Sequence, residues 1–161
     1  MKRVKNLLII LLFSSAIVGS CKKAEPFTAE DQLLEIKRQF LVDEQLIKDF
    51  IVAKNITNAV KDTSGIYYVI LEPGTGNVVY QANTVINVRY TGRLLNGQVF
   101  DSSSSKEFPL GNLIAGWQIG IPKIQRGGTI RLLIPSYWAY GPAPRSGIPP
   151  NSVLDFDIEL L

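Results

Sequence analysis

The sequence contains no histidine, and cysteine and methionine occur once each. Without histidine there is no Ser-His-Asp triad and no Cys-His nucleophile pair. A single chain with one thiol cannot assemble a Cys/His zinc site or close a disulfide on itself. Whatever chemistry the protein performs must use carboxylates, hydroxyls, Arg and Lys, aromatic rings or backbone groups. Charge of one sign is also scarce: 17 Lys+Arg stand against 14 Asp+Glu, a net +3. Lys2, Arg3 and Lys5 account for that excess, and no acid precedes Glu25, so the remainder of the chain is balanced. A basic stripe for nucleic acid is lacking, and no nucleic-acid partner is expected. What the sequence does have is apolar material, 46% of its residues, enough for a packed core and too much for a disordered chain.

Only one hydrophobic run is long. Behind the basic segment Met1–Asn6, Leu7–Phe13 is unbroken apolar sequence, and Ser14–Val18 extends it with small and apolar residues. About a dozen residues fall short of the roughly 20 that span a bilayer as a helix, but suit the apolar region of a signal peptide. Val18-Gly19-Ser20-Cys21 then resembles a bacterial lipobox. That resemblance implies cleavage before Cys21, acylation of its thiol, and a lipid-anchored protein of the bacterial cell envelope, on the outer membrane facing the periplasm. The alternatives are an ordinary signal peptide with an incidental cysteine, or a single transmembrane anchor. Each buried acyl CH₂ contributes about 0.8 kcal/mol to anchoring, so several chains on one residue hold firmly. The organisation expected is a signal peptide at 1–20, the acylated cysteine and a polar tether at 21–26, a helical neck at 27–62, and a globular domain at 63–161.

In the neck, Thr28-Ala29-Glu30-Asp31 has the form of a helix start. Leu33, Leu34, Ile36, Phe40 and Leu41 recur at helical spacing, and Asp43-Glu44 reads as a second start. Two short helices are predicted, about 29–41 and 43–55. Leu46, Ile47, Phe50 and Ile51 form one apolar stripe, which either packs on its own chain or pairs two copies into a homodimer through the 29–55 helices.

The last hundred residues alternate short strands and turns. Gly65–Leu71 is a strand ending at the turn pair Pro73-Gly74. Thr84–Thr91 alternates, with Ile86, Val88 and Tyr90 on one side. Asn96-Gly97 predicts a two-residue type I′ hairpin turn. Asn112–Ile121 spaces as a short helix, and Thr129–Ile134 is another strand. In Ser152–Leu161, Leu154, Phe156, Ile158 and Leu160 face inward, and Val153, Asp155, Asp157 and Glu159 face solvent. These elements make an α+β domain, an antiparallel sheet covered on one face by one short helix. Three motif-like segments carry no chemistry. Gly74-Thr75-Gly76 lacks the third glycine of a dinucleotide loop. Ser102–Ser105 has no base and reads as turn hydroxyls, and Asp155 with Asp157 reads as a solvated strand face rather than a metal site.

Arg89-Tyr90-Thr91-Gly92-Arg93-Leu94-Leu95-Asn96-Gly97-Gln98-Val99-Phe100-Asp101-Ser102-Ser103 resembles a block of the FKBP-type peptidyl-prolyl cis-trans isomerases. Phe108-Pro109-Leu110-Gly111, Leu113-Ile114-Ala115-Gly116-Trp117, Ile134–Gly141, Gly147–Ser152 and Leu154–Leu160 follow in the family's order. The resemblance spans about 63–161. It implies a strongly bent antiparallel sheet wrapped around a short helix, and a pocket for proline-containing polypeptides and for the macrolide inhibitors of that family. It further implies that Trp117 floors the pocket and that Tyr90, Phe100, Phe108, Leu113, Ile114 and Phe156 wall it. Tyr140 would be the rim hydroxyl, Asp101 the rim carboxylate, Ile148 the loop residue closing over a ligand, and the Ile114 N–H a further donor to a bound carbonyl. Ser102–Glu107 contains none of the arginine that some members pair with the rim aspartate, and it reads as a short loop.

Such an activity needs no cofactor, no metal and no nucleophile. Rotation about an amide costs about 18–20 kcal/mol because planarity carries resonance. A dry aromatic pocket disfavours the planar, dipolar amide more than the twisted one, so an enzyme without histidine is chemically coherent. The leading reading is an isomerase assisting protein folding in the envelope. A docking module for proline segments, and an interaction protein whose neck does the work, are the alternatives.

Overall fold

The computed structural model describes residues 28–161. The leader, Cys21 and the tether lie outside them. Helix α1 runs over Ala29–Ala53, and strands β1 (Val60–Lys61), β2 (Tyr67–Glu72), β3 (Val85–Leu94) and β4 (Val99–Pro109) follow. Then come helix α2 (Ala115–Gly120), β5 (Thr129–Ile134) and β6 (Leu154–Leu160). Single 3₁₀ turns lie at Leu110–Asn112, Ile121–Lys123 and Ser136–Trp138. The strands form one six-stranded antiparallel sheet in the order β1-β2-β5-β6-β3-β4. No helix among the described residues is long and apolar enough to cross a membrane.

The alternation in the sequence decides which side chains enter which core. Ile86, Val88 and Tyr90 of β3, Ile130, Leu132 and Ile134 of β5, and Leu154, Phe156, Ile158 and Leu160 of β6 all face α2, with Trp117 and Ile121 packed onto them. Gly116 permits the close approach of α2 to β5, since a Cβ there would lie 2.5 Å from the Ile134 side chain.

The neck differs from its expected form. It is one 25-residue helix, opened by a Thr28–Asp31 capping box. Asp43 does not begin a second helix. Nothing between Leu41 and Glu44 breaks the backbone ladder, and the Asp43 carboxyl turns inward instead of capping. The stripe residues Ile47 and Phe50 pack on the opposite face of the sheet from α2, against Tyr67, Leu133 and Val153, with Ile51, Ile56 and Leu95 around them. Glu44 adds ion pairs to Lys48 at 2.7 Å and to Lys61 at 2.8 Å.

This second core overturns the solvent-facing placement of Val153 and Asp155. Val153 is buried, and Asp155 is only 2% exposed, held by Arg131 through two bonds of 2.8 and 2.7 Å. Alternation predicted the correct face of β6, but α1 covers that face. The hairpin after β3 also departs from type I′. Only Gly97 takes positive φ (92°), and Asn96 keeps negative φ while its side chain accepts the Gln98 N–H. The Gly97 N–H bonds the Leu94 carbonyl, and the Leu94 N–H bonds the Gln98 carbonyl. Those bonds fit a one-residue-longer loop with glycine at its left-handed position.

Candidate active site

A cleft of about 230 Å³ opens between β3, β4, α2 and the segment after β5. Larger grooves exist, one of about 330 Å³ beside Tyr80 and Arg126. Volume therefore does not single out the site; the convergence of aromatic rings does.

Trp117, 3% exposed, lies at the bottom of the cleft. Tyr90 meets its indole edge-on, with centroids 5.2 Å apart at 84°, and Phe156 does the same from the other side at 5.3 Å and 89°. Phe100 stands perpendicular to Phe156 at 5.5 Å, and Phe108 lies 6.2 Å from Tyr90. Edge-to-face contacts of this kind fix ring orientation as well as burying area. Leu113 and Ile114 close the side nearest α2. The Trp117 Nε1 is buried with no hydrogen-bond partner among the described residues.

Local backbone geometry places Phe100 and Asp101 together. Gly92 pairs with Asp101 and Arg93 with Val99, which leaves Phe100 as the extra residue of a β-bulge. Regular alternation would send consecutive side chains to opposite faces, and the bulge lets both line the cleft. Gly92 makes the room, because a Cβ there would lie 2.5 Å from Phe156 and 2.7 Å from Phe100.

The rim is polar. The Tyr90 hydroxyl donates to Asp101 Oδ2 at 2.8 Å, which gives the rim carboxylate its partner. Burial first, then the Asp101 carboxylate, push the Tyr90 phenol far above its usual range. Burial also raises Tyr140, partly offset by the nearby Arg145, whose guanidinium lies 5.2 Å over its ring. Both phenols are thus held as neutral donors. The Ile114 N–H, at the start of α2, has no acceptor within the described residues.

Nine of the ten pocket residues expected from the sequence therefore line one cleft. Ile148 does not line it; its side chain is buried in the main core. Two lining residues went unforeseen, Lys106 and Asn112. Lys106 had a legible signal, lying two residues before Phe108 on one strand, and its ammonium sits 5.1 Å over that ring. Asn112 had none. Ser102–Glu107 is not a loop of turn hydroxyls but the middle of β4, where the register to β3 slips between Val88 and Tyr90.

An aromatic-floored cleft between a short helix and an antiparallel sheet, with its one carboxylate already bonded by a tyrosine at the rim, defines a class of binding site that holds a compact apolar ring and donates to nearby carbonyls. Residues 76–161 match the profile of the FKBP-type peptidyl-prolyl cis-trans isomerases, and the chain belongs to that family. It is 40% identical over 152 residues to the FKBP-type peptidyl-prolyl cis-trans isomerase FkpA of Buchnera aphidicola from Acyrthosiphon pisum, covering 92% of this chain and 61% of that protein. It is 45% identical over 98 residues to FK506-binding protein 1 of Saccharomyces cerevisiae, covering 56% and 86%. The crystal structure of FkpA from Escherichia coli superposes with a TM-score of 0.67 at 32% identity, covering 82% of this chain and 64% of that one. The chain spans about 60% of the length of the Buchnera relatives it matches.

Proposed function

We propose that this protein is a peptidyl-prolyl cis-trans isomerase that turns X–Pro bonds in polypeptides of the bacterial cell envelope. Residues 63–161 carry the catalytic domain, and acylated Cys21, behind a signal peptide at 1–20, tethers it to the outer membrane on the periplasmic side. The observation that carries the reading is the set of edge-to-face rings in the cleft, Tyr90 and Phe156 on buried Trp117 and Phe100 on Phe156.

The proline ring stacks into that cleft. The Tyr140 hydroxyl and the Ile114 N–H hold carbonyls beside it and favour a turned conformer, while Asp101, bonded by Tyr90, faces the twisting amide at the rim. At the twisted transition state the C–N bond is nearly single and the amide less dipolar, so a site that excludes water lowers its relative energy. Unaided X–Pro isomerisation takes tens to hundreds of seconds, which leaves a wide margin for acceleration.

The deciding measurement is the cis-to-trans release of a short X–Pro peptide by the full-length protein, with and without FK506. Acceleration abolished by the macrolide supports the reading. Peptide binding without acceleration would recast the cleft as a docking module. The homodimer, one of the two readings of the Ile47 and Phe50 stripe, is not part of this proposal, since those side chains pack against the sheet.

A further inference from the structure

Asp43 takes no part in the cleft, yet it is 0% exposed. Three donors converge on its carboxyl. The Ser136 N–H and Oγ–H reach Oδ2 at 2.8 and 2.6 Å, and Gln39 Nε2 reaches Oδ1 at 2.7 Å. A carboxyl buried without a cation is costly unless hydrogen bonds satisfy it. Here they are supplied by one neighbour on its own helix and by a residue 93 positions away.

Ser136 opens the 3₁₀ turn Ser136–Trp138, and no local side chain caps that turn. Asp43 supplies the cap from α1. On its other side, the Ser136 carbonyl accepts the N–H of Ala139 at 3.0 Å and of Gly141 at 2.8 Å. Those are the two residues flanking Tyr140. The backbone that carries the rim tyrosine is thus secured to Ser136, and Ser136 to the neck.

We propose that Asp43 is a positioning residue for the cleft. From α1 it fixes Ser136, and through Ser136 the peptide units that aim Tyr140. The proposal rests on the reading of the cleft as an X–Pro site, and it makes the neck helix part of the isomerase's supporting frame rather than a spacer. Sites of this kind lose rate steeply when a supporting contact lets a side chain drift by about 1 Å.

The test compares full-length Asp43→Ala, Asp43→Asn and Ser136→Ala with the wild type. Amide exchange at Ala139 and Gly141 is read against Leu132, a core amide reporting global opening. In Asp43→Ala, exchange at Ala139 and Gly141 should rise by about tenfold over any change at Leu132, and kcat/KM should fall by about tenfold, as expected for losing hydrogen bonds to a buried group. Asp43→Asn should restore both, since its carbonyl can still accept from Ser136. In a Tyr140→Ala background, Asp43→Ala should cost nothing further in kcat/KM, because no ring remains to be aimed. If Asp43→Ala does not fold, Ser136→Ala removes only the hydroxyl bond and should show the same pattern at about threefold. Unchanged exchange at Ala139 and Gly141, or an equal loss of kcat/KM in the Tyr140→Ala background, overturns the proposal. If the wild type turns over no X–Pro peptide, the exchange data still decide whether Asp43 positions Tyr140, and only the reading of the cleft falls.

Discussion

Trp117 is the residue on which the cleft depends most. It is almost fully buried, touches two rings edge-on, and its indole N–H has no acceptor among the described residues, so its side chain contributes shape and apolar area. Truncating it to alanine should cost about 3–5 kcal/mol of stability by leaving a cavity. Trp117→Leu should fold better but bind FK506 at least tenfold more weakly than wild type, a loss of about 1.4 kcal/mol; equal affinity by fluorescence-independent calorimetry would remove Trp117 from the floor. The chain's lack of histidine bears on pH as well. With Tyr90 and Tyr140 both raised above their usual range, neither loses its proton near neutrality. The kcat/KM for a histidine-free peptide should therefore stay flat from about pH 6 to 8.5. A bell-shaped profile would expose a proton transfer absent from the proposed mechanism. The pocket aromatics were legible in the sequence because each falls in a block that resembles the FKBP family's. The bond from Tyr90 to Asp101 was not, since it depends on the bulge at Phe100, and a bulge leaves no mark in composition.

At the scale of elements, β3 and β6 followed from alternation and α2 from its spacing, while the middle of β4 was read as a loop and α1 as two helices. The acids at 43 and 44 resemble a helix start, but Asp43 is consumed by Ser136, 93 residues on, which no local pattern reveals. The stripe of Ile47 and Phe50 was visible, and its partner was not, because the covered face of β5 and β6 also carries Arg131 and Asp155 and so looks solvated. These two charged side chains pair with each other at the margin of the second core, and the Arg131 guanidinium lies 5.7 Å over the Phe50 ring. Ile47→Ala should destabilise the protein by about 2–5 kcal/mol, the range for emptying a buried isoleucine site. Equilibrium urea unfolding measures this. Loss below about 0.5 kcal/mol, the scale of surface substitutions, would mean that α1 is not docked in solution.

For the molecule as a whole, two depressed carboxyls tie separate parts of the chain together. Asp62, before β2, bonds Lys123, in the turn after α2, at 2.6 Å, and Lys123 chiefly holds its carboxyl down to about 2. Glu44 of α1 is held down to about 2 by Lys48 and Lys61. Both folded values lie below the roughly 4 of an unfolded carboxylate. Their stabilisation is therefore complete above that value and is lost as pH falls from about 4 toward 2. Lys123→Met should flatten the acid limb of stability against pH, with little change in the shape of the neutral limb. An acid limb of unchanged slope in urea titrations between about pH 5 and 2 would show that the pair contributes nothing.

The strand order has a consequence for how the chain comes to be folded. β6, the last strand in sequence, sits between β5 and β3 and supplies the hydrogen bonds that join β1-β2-β5 to β3-β4. Without residues 154–160 the sheet divides into β1-β2-β5 and β3-β4, which share no strand pairing. The decisive contacts, such as Tyr90 with Ile158, close loops of many tens of residues, which slows folding relative to a chain built from local contacts. A protein proposed to hasten the folding of others is itself one whose last strand must be inserted into the middle of a waiting sheet.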